Sequence, residues 1–239
     1  MSAAAEAARE FPFSAEHFRL ISERIYRFSG IRLPEGKREM VYARLARRLR
    51  ALGIASFDDY VRFLELEPAE WEHCTNALTT NVTAFYREEH HFKTLAAHAR
   101  ATLRPGEPLR VWSAGCSTGE EPYTIAMCLA ESLPGAPFRV IASDLDTQVI
   151  ATAREGVYPL QSVLKLSEER QKRFFLRGAG RFEGKARVRA EVAAHVEFLR
   201  VNPRVVLGMS EAQIISITMF MVGAASWLHA RRGMTIAAA

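Results

Sequence analysis

Cysteine is scarce in this chain of 239 residues. Its three copies, Cys74, Cys116 and Cys128, are odd in number and widely spaced, which excludes a disulfide framework and the paired spacing of a zinc site. A reducing cytoplasm is therefore the expected compartment. The opening MSAAAEAAREF has no apolar segment and carries acids early, so no secretory signal is expected. The charge-free stretch 214–228 is shorter than the roughly 20 residues that span a bilayer, so no stable membrane insertion is expected. His90, His91 and His98 lack any carboxylate or cysteine at ligand spacing, and adjacent side chains point apart on a helix, so no metal is expected. No internal repeat is present. Lys and Arg outnumber Asp and Glu by 32 to 27, giving +5, a mild excess that suits an acidic partner.

What is present divides in two. Residues 1–12 read as a disordered arm. Residues 13–92 carry helical periodicity, as in Phe18, Ile21, Ile25 and Phe28, with Ser14 as a cap and Gly30 and Gly53 as stops. Ser56 opens a third helix and Pro68 a fourth. This part reads as an all-helical domain. After ATLRPGEP (101–108) the pattern changes to strand, helix, strand, helix over 109–154, which argues a βαβ unit in a parallel sheet. Residues 167–177 read as a charged helix. Residues 178–200 alternate in places between turn glycines and read as a small antiparallel insert, with Val188, Val192, Val196 and Phe198 facing inward. The expected class is α/β, with the domain 93–202 following the helical one and a tail at 203–239.

The stretch LRVWSAGCSTGEEPY (109–123) runs from strand through glycine turn to helix start, a unit that aims backbone N–H groups at a ligand. Asp144 ends the next strand, 25 residues after Gly119, where an acid takes ribose hydroxyls. Glu120 and Glu121 stand where a pyrophosphate would lie in a dinucleotide enzyme. Two carboxylates there repel phosphate and attract a cation. S-adenosylmethionine meets that requirement, with a ribose, a sulfonium and an ammonium. The bland account is that acids at a helix start complement its dipole. Lys37–Arg50 holds six basic residues and one acid; Lys37, Arg44 and Arg48 share one helical face with Arg47 beside it. That face suits an acidic helix. It suits RNA phosphates equally, but no aromatic-basic RNA motif accompanies it, so no nucleic acid is expected.

Four stretches in order, TTNVTAFYRE (79–88), RVWSAGCSTGEEPY (110–123), ASDLDTQVIATAREGVYPL (142–160) and RVRAEVAAHVEFLRVN (187–202), make the chain resemble the chemotaxis receptor methyltransferases, the CheR family. The resemblance covers about residues 12–202. It implies a Rossmann-like methyltransferase domain behind an all-helical one, and methyl transfer from S-adenosylmethionine to glutamate side chains on the cytoplasmic helices of chemoreceptors. It implies cofactor contacts from Asn81, Thr83 and Arg87, from Glu120 or Glu121, from Asp144 and from Asn202. Arg87 is the expected catalytic residue, holding the substrate carboxylate or shaping the methyl site. An ionised glutamate is already a nucleophile, so in-line orientation is the main requirement. The resemblance also implies that the basic residues Lys37, Arg44, Arg47 and Arg48 meet the receptor helix, and a monomer is expected.

After Val201-Asn202 the sequence departs from the family pattern, which continues with a further strand, a Cys-Arg-Asn motif and a Tyr-Phe pair. A frameshift, a fusion scar or an erroneous gene model is one expectation. A sheet left incomplete would leave strand edges and helix faces uncovered and activity impaired. Two alternatives therefore stand beside the enzyme: a receptor-binding remnant, and a methyltransferase of another substrate class.

Overall fold

The computed structural model describes residues 9–104 and 106–200. The expected contact Asn202 and the tail 203–239 lie outside the described residues. Two units separate, one through Trp71 and one spanning Glu72–Arg200.

The first unit is helical. α1 (Ala15–Ser29) starts at Ser14, whose hydroxyl accepts from His17 N, while His17 Nδ1 accepts from Ser14 N. This is a reciprocal cap with His at the position Glu usually holds. Because Nδ1 accepts, Nε2 carries the proton and donates to Asp58 at 3.0 Å. Gly30, at φ 75°, ends the helix in the left-handed region. A short 3₁₀ turn (Glu35–Lys37) precedes α2 (Arg38–Leu52), which Gly53 stops at φ 67°. α3 (Phe57–Leu66) is capped by Ser56. Phe13, Phe18, Ile21, Ile25, Val41, Leu45, Leu49, Phe57, Tyr60 and Leu64 form the interior. The arm expected over residues 1–12 is ordered where described: Phe11 is buried edge-to-face on Phe57, Arg9 pairs with Glu39 and Glu10 with Arg50. An apolar ring with a site to fill outweighs the flanking small residues. α4 (Glu70–Leu78) carries the division between the units.

The second unit contains a parallel sheet and a small antiparallel one. α5 (Glu89–Thr102) continues past residue 92, where the helical domain was expected to stop, and packs its Phe92, Ala96 and Ala99 into this unit's core. β1 (Leu109–Ala114), α6 (Glu120–Ser132), β2 (Phe138–Asp144) and α7 (Thr147–Glu155) follow in order. Then come β3 (Val157–Pro159), α8 (Leu160–Val163), α9 (Glu168–Phe174), β4 (Phe175–Arg177), a 3₁₀ turn (Gly180–Phe182), β5 (Lys185–Val188), α10 (Ala190–Ala193) and β6 (Val196–Arg200).

The parallel sheet has order β1-β2-β6, with Val111 opposite Val140 and Ala142 opposite Phe198. The antiparallel sheet has order β3-β5-β4. Two expectations change here. The insert expected over 178–200 starts earlier, at Val157, and ends at Val188; Val196–Arg200 is a parallel strand of the main sheet. The charged helix expected over 167–177 ends at Phe174, where Phe174 and Phe175 both turn into the core. Burying both rings outweighs continuing the helix. α6 is buried on nearly every side from Pro122 to Leu129, so it reads as a continuous apolar run rather than an amphipathic stripe.

Candidate functional site

The turn from β1 to α6 lies at the carboxyl ends of β1 and β2, where open parallel sheets bind ligands. Gly115 and Gly119 take left-handed φ values of 74° and 97°, and Ser117 does so at 49° despite its side chain. Around Gly115 a Cβ would meet nothing within 4 Å, so the backbone there faces open space. At Gly119 a Cβ would lie 2.7 Å from Tyr158 Oη and 2.9 Å from Ala153 Cβ, so only glycine fits. Tyr158 closes the turn by donating to Thr118 O at 2.7 Å.

Asp144 is buried, and both its oxygens are engaged. Oδ2 accepts from Ser117 N at 2.7 Å and Oδ1 from Asp146 N at 3.0 Å. Each oxygen keeps a second lone pair, so the carboxylate is fixed in place and still able to accept from hydroxyl groups. Burial pushes the Cys116 thiol up to about 12, with the negative charges of Asp144 and then Glu121 adding to it. Glu121 is exposed and accepts from Ser113 Oγ at 2.8 Å; Glu120 is half-buried and accepts from Thr118 Oγ1 at 2.6 Å.

The segment 79–88 meets this turn through Asp146, a residue the sequence reading passed over. Asp146 is 3% exposed. Its Oδ1 caps α7 by accepting from Gln148 N and Val149 N, and its Oδ2 accepts from Thr79 Oγ1 at 3.2 Å and Asn81 Nδ2 at 2.8 Å. Asp immediately before Thr147 is a cap signal, and it was the available clue. Asn81, expected on the cofactor, donates from its side-chain Nδ2 to Asp146, while its backbone carbonyl accepts from Ser117 Oγ at 3.1 Å. Thr83 is half-buried on the same segment, and Arg87 is exposed with Nη1 donating to Val82 O at 2.8 Å. The structure brings Asn81, Ser117, Asp144 and Asp146 into one hydrogen-bonded network.

The basic helix behaves differently from its wheel. Val41 shares the face of Arg44 and Arg48 and is fully buried, so those two arginines flank the core. Arg48 donates through Nε and Nη2 to the buried Glu70 at 2.8 and 2.6 Å, and Tyr60 Oη donates to the same carboxylate at 3.0 Å. Lys37 and Arg47 are exposed. His90 and His91 do not point apart as expected; their ring centroids lie 4.1 Å from each other. Among the described residues no group of three or more His, Cys, Asp or Glu is arranged to hold a metal, and no helix is long and apolar enough to cross a membrane.

Comparison with known proteins gives matches over most of this length. The family model described as CheR methyltransferase, SAM binding domain, matches residues 81–208, and the one described as CheR methyltransferase, all-alpha domain, matches residues 16–79. Chemotaxis protein methyltransferase 2 of Pseudomonas aeruginosa is 50% identical over 81% of this chain and 70% of its own. The chemotaxis protein methyltransferases of Salmonella typhimurium and Escherichia coli are 53% and 51% identical, each over 79% of this chain and 66% of its own. The matched part is thus about two thirds of the length of these relatives.

Proposed function

The chain belongs to the CheR methyltransferase family, whose SAM binding domain it carries, and we propose that it transfers a methyl group from S-adenosylmethionine to glutamate side chains of chemoreceptors. The reading rests above all on the carboxylates gathered at the carboxyl ends of β1 and β2. Three acids, Glu120, Glu121 and Asp144, beside the open backbone of Gly115 fit a ligand with a ribose and two positive groups and disfavour a phosphate. When bound, S-adenosylmethionine supplies an electrophilic methyl group on a sulfonium.

The chain's own residues do the rest. Asp144, held by two backbone N–H groups, accepts the ribose hydroxyls without having to reorganise. Of the two glutamates, Glu121 is assigned to the cationic end. It is exposed, and its carboxylate is held at the end of β1 by Ser113 Oγ. Asn81 acts by fixing the 79–88 segment to Asp146; Thr83 and Arg87 complete the cofactor contacts, with Asn202 beyond the described residues. The exposed guanidinium of Arg87 orients the acceptor carboxylate, which is ionised at neutral pH and needs no general base. Lys37 and Arg47 present positive charge to an acidic receptor helix, with Arg44 beside them, while Arg48 supports α2 from within. The protein is read as a cytoplasmic monomer.

The test is calorimetric titration of S-adenosylmethionine into wild type and the Asp144→Asn variant. Wild-type binding weakened at least tenfold by the substitution is the expected outcome. Equal affinity in the two proteins would remove Asp144 from the site and the cofactor from this turn. Methylation of receptor fragments by the same preparations then checks the acceptor.

A further inference from the structure

Arg87 stands between two residues that seldom adopt their conformation. Tyr86 has φ 53° and Glu88 φ 57°, both left-handed and both bearing side chains. Backbone of this kind persists only where surrounding contacts over-determine it. One side of the segment is held by Phe85, which packs edge-to-face on Tyr158 and Phe175 at 4.9 and 5.2 Å. The Tyr86 side is held differently. Its backbone N donates to Thr124 Oγ1 at 3.2 Å, and its ring packs on Phe92 at 5.5 Å and lies beneath the Arg170 guanidinium at 4.0 Å. Arg170 is itself fixed, with Nε and Nη2 each 2.9 Å from a Glu131 oxygen. The Tyr86 hydroxyl is buried and makes no hydrogen bond, so the ring, not the oxygen, is the part that holds.

We propose that Arg170 is a positioning residue for methyl-donor binding: held by Glu131, it presses on the Tyr86 ring and keeps Arg87 in the conformation that meets the donor. The proposal rests on the reading of Arg87 given above. Arg170 lies on α9, well outside the turn and the 79–88 segment in sequence. A charge over an aromatic face is favourable, and a planar guanidinium in a two-point pair with a carboxylate keeps that charge from wandering. Without it the strained segment relaxes in part of the molecules. Apparent affinity then falls in proportion to the competent fraction, whereas saturating donor restores the population.

Arg170→Met should therefore raise both the dissociation constant and the KM for S-adenosylmethionine about tenfold, equivalent to about 1.4 kcal/mol, with kcat at saturating donor within twofold of wild type. Arg170→Lys, which retains the cation but not the two-point pairing, should recover part of the loss. Tyr86→Phe should bind as wild type, and Tyr86→Leu should lose as much as Arg170→Met. The double variant Arg170→Met/Glu131→Gln removes the stranded carboxylate, and its affinity should match the single variant. Unchanged KM in a folded Arg170→Met protein would overturn the proposal, as would recovery of affinity in the double variant, which would trace the loss to stranded charge. Asp144→Asn is measured alongside: if it binds the donor as well as wild type does, the cofactor reading itself has failed and the proposal falls with it, whereas loss in Asp144→Asn with none in Arg170→Met sinks the proposal alone.

Discussion

The bonds that start helices in the first unit and the bonds that tie the site in the second act over different distances along the chain. In the helical unit the hydrogen bonds that define its helix starts are local: Ser14 with His17 and Ser56 with Asp59, each three residues apart. In the unit from Glu72 onward the site is tied by long-range bonds: Asn81 to Asp146 across 65 residues, Ser117 to Asp144 across 27, Tyr158 to Thr118 across 40. Local caps set where an element begins. Long-range bonds set where one loop stands against another, and only the latter build a binding site. The helical unit also has long-range bonds, among them His17 to Asp58 across 41 residues, Arg50 to Glu10 across 40, and the buried Glu70 with Arg48 and Tyr60, and these tie its own elements to one another.

Four substitutions sharpen that contrast. The largest effect is expected for Gly119→Ala. The added methyl meets Tyr158 Oη at 2.7 Å, in a backbone region that L side chains avoid. Overpacking and left-handed strain together should cost about 3–4 kcal/mol, read as a lower urea midpoint, and donor binding should be lost. A protein with wild-type midpoint and affinity would show that the turn is pliable. Next comes Glu70→Ala, which removes the carboxylate that Arg48 and Tyr60 share. Breaking a largely buried pair should cost about 2–3 kcal/mol; if donor affinity fell as far as in Gly119→Ala, the division between stabilising and functional networks would be wrong. The smallest pair is Asp146→Ala against Ser14→Ala. Loss of the Ser14 cap should cost about 1 kcal/mol. Loss of Asp146 removes a cap and the anchor of Asn81, about 2 kcal/mol, and should also weaken donor binding several-fold. Equal effects on affinity would break the comparison.

Much of this was legible beforehand because the signals were short-range. Ser14, Gly30, Gly53 and Ser56 bound helices by chemistry confined to neighbouring residues, and the apolar runs at 109–114 and 138–143 stand out against polar turns. The acidic, phosphate-repelling character of the turn could be read from Glu120, Glu121 and Asp144 alone. Four features were not legible. Val196–Arg200 alternates like an edge strand of a hairpin, yet it pairs in parallel with β2, because pairing partners are a property of the folded sheet. Arg48 looked like surface charge until Glu70 was placed beside it. The bond from Asn81 to Asp146 could not be read, because the two residues lie 65 positions apart. Arg170 carried no signal at all, since Tyr86 and Glu131 lie 84 and 39 residues before it and come together only in the core.

By itself the sequence determined the two-part organisation, the helix starts and stops of the first unit, the parallel strands β1 and β2, and the acidic character of the turn between β1 and α6. Each of these follows from residues within a few positions of one another, where backbone geometry and side-chain chemistry act directly. The tertiary structure decided which carboxylates are spent on backbone and which remain for a ligand, which arginines face solvent, and what holds Tyr86 and Glu88 in left-handed backbone around Arg87. Those outcomes depend on groups distant in the chain competing for the same hydrogen bonds and the same buried volume, and that competition is settled only when the core closes.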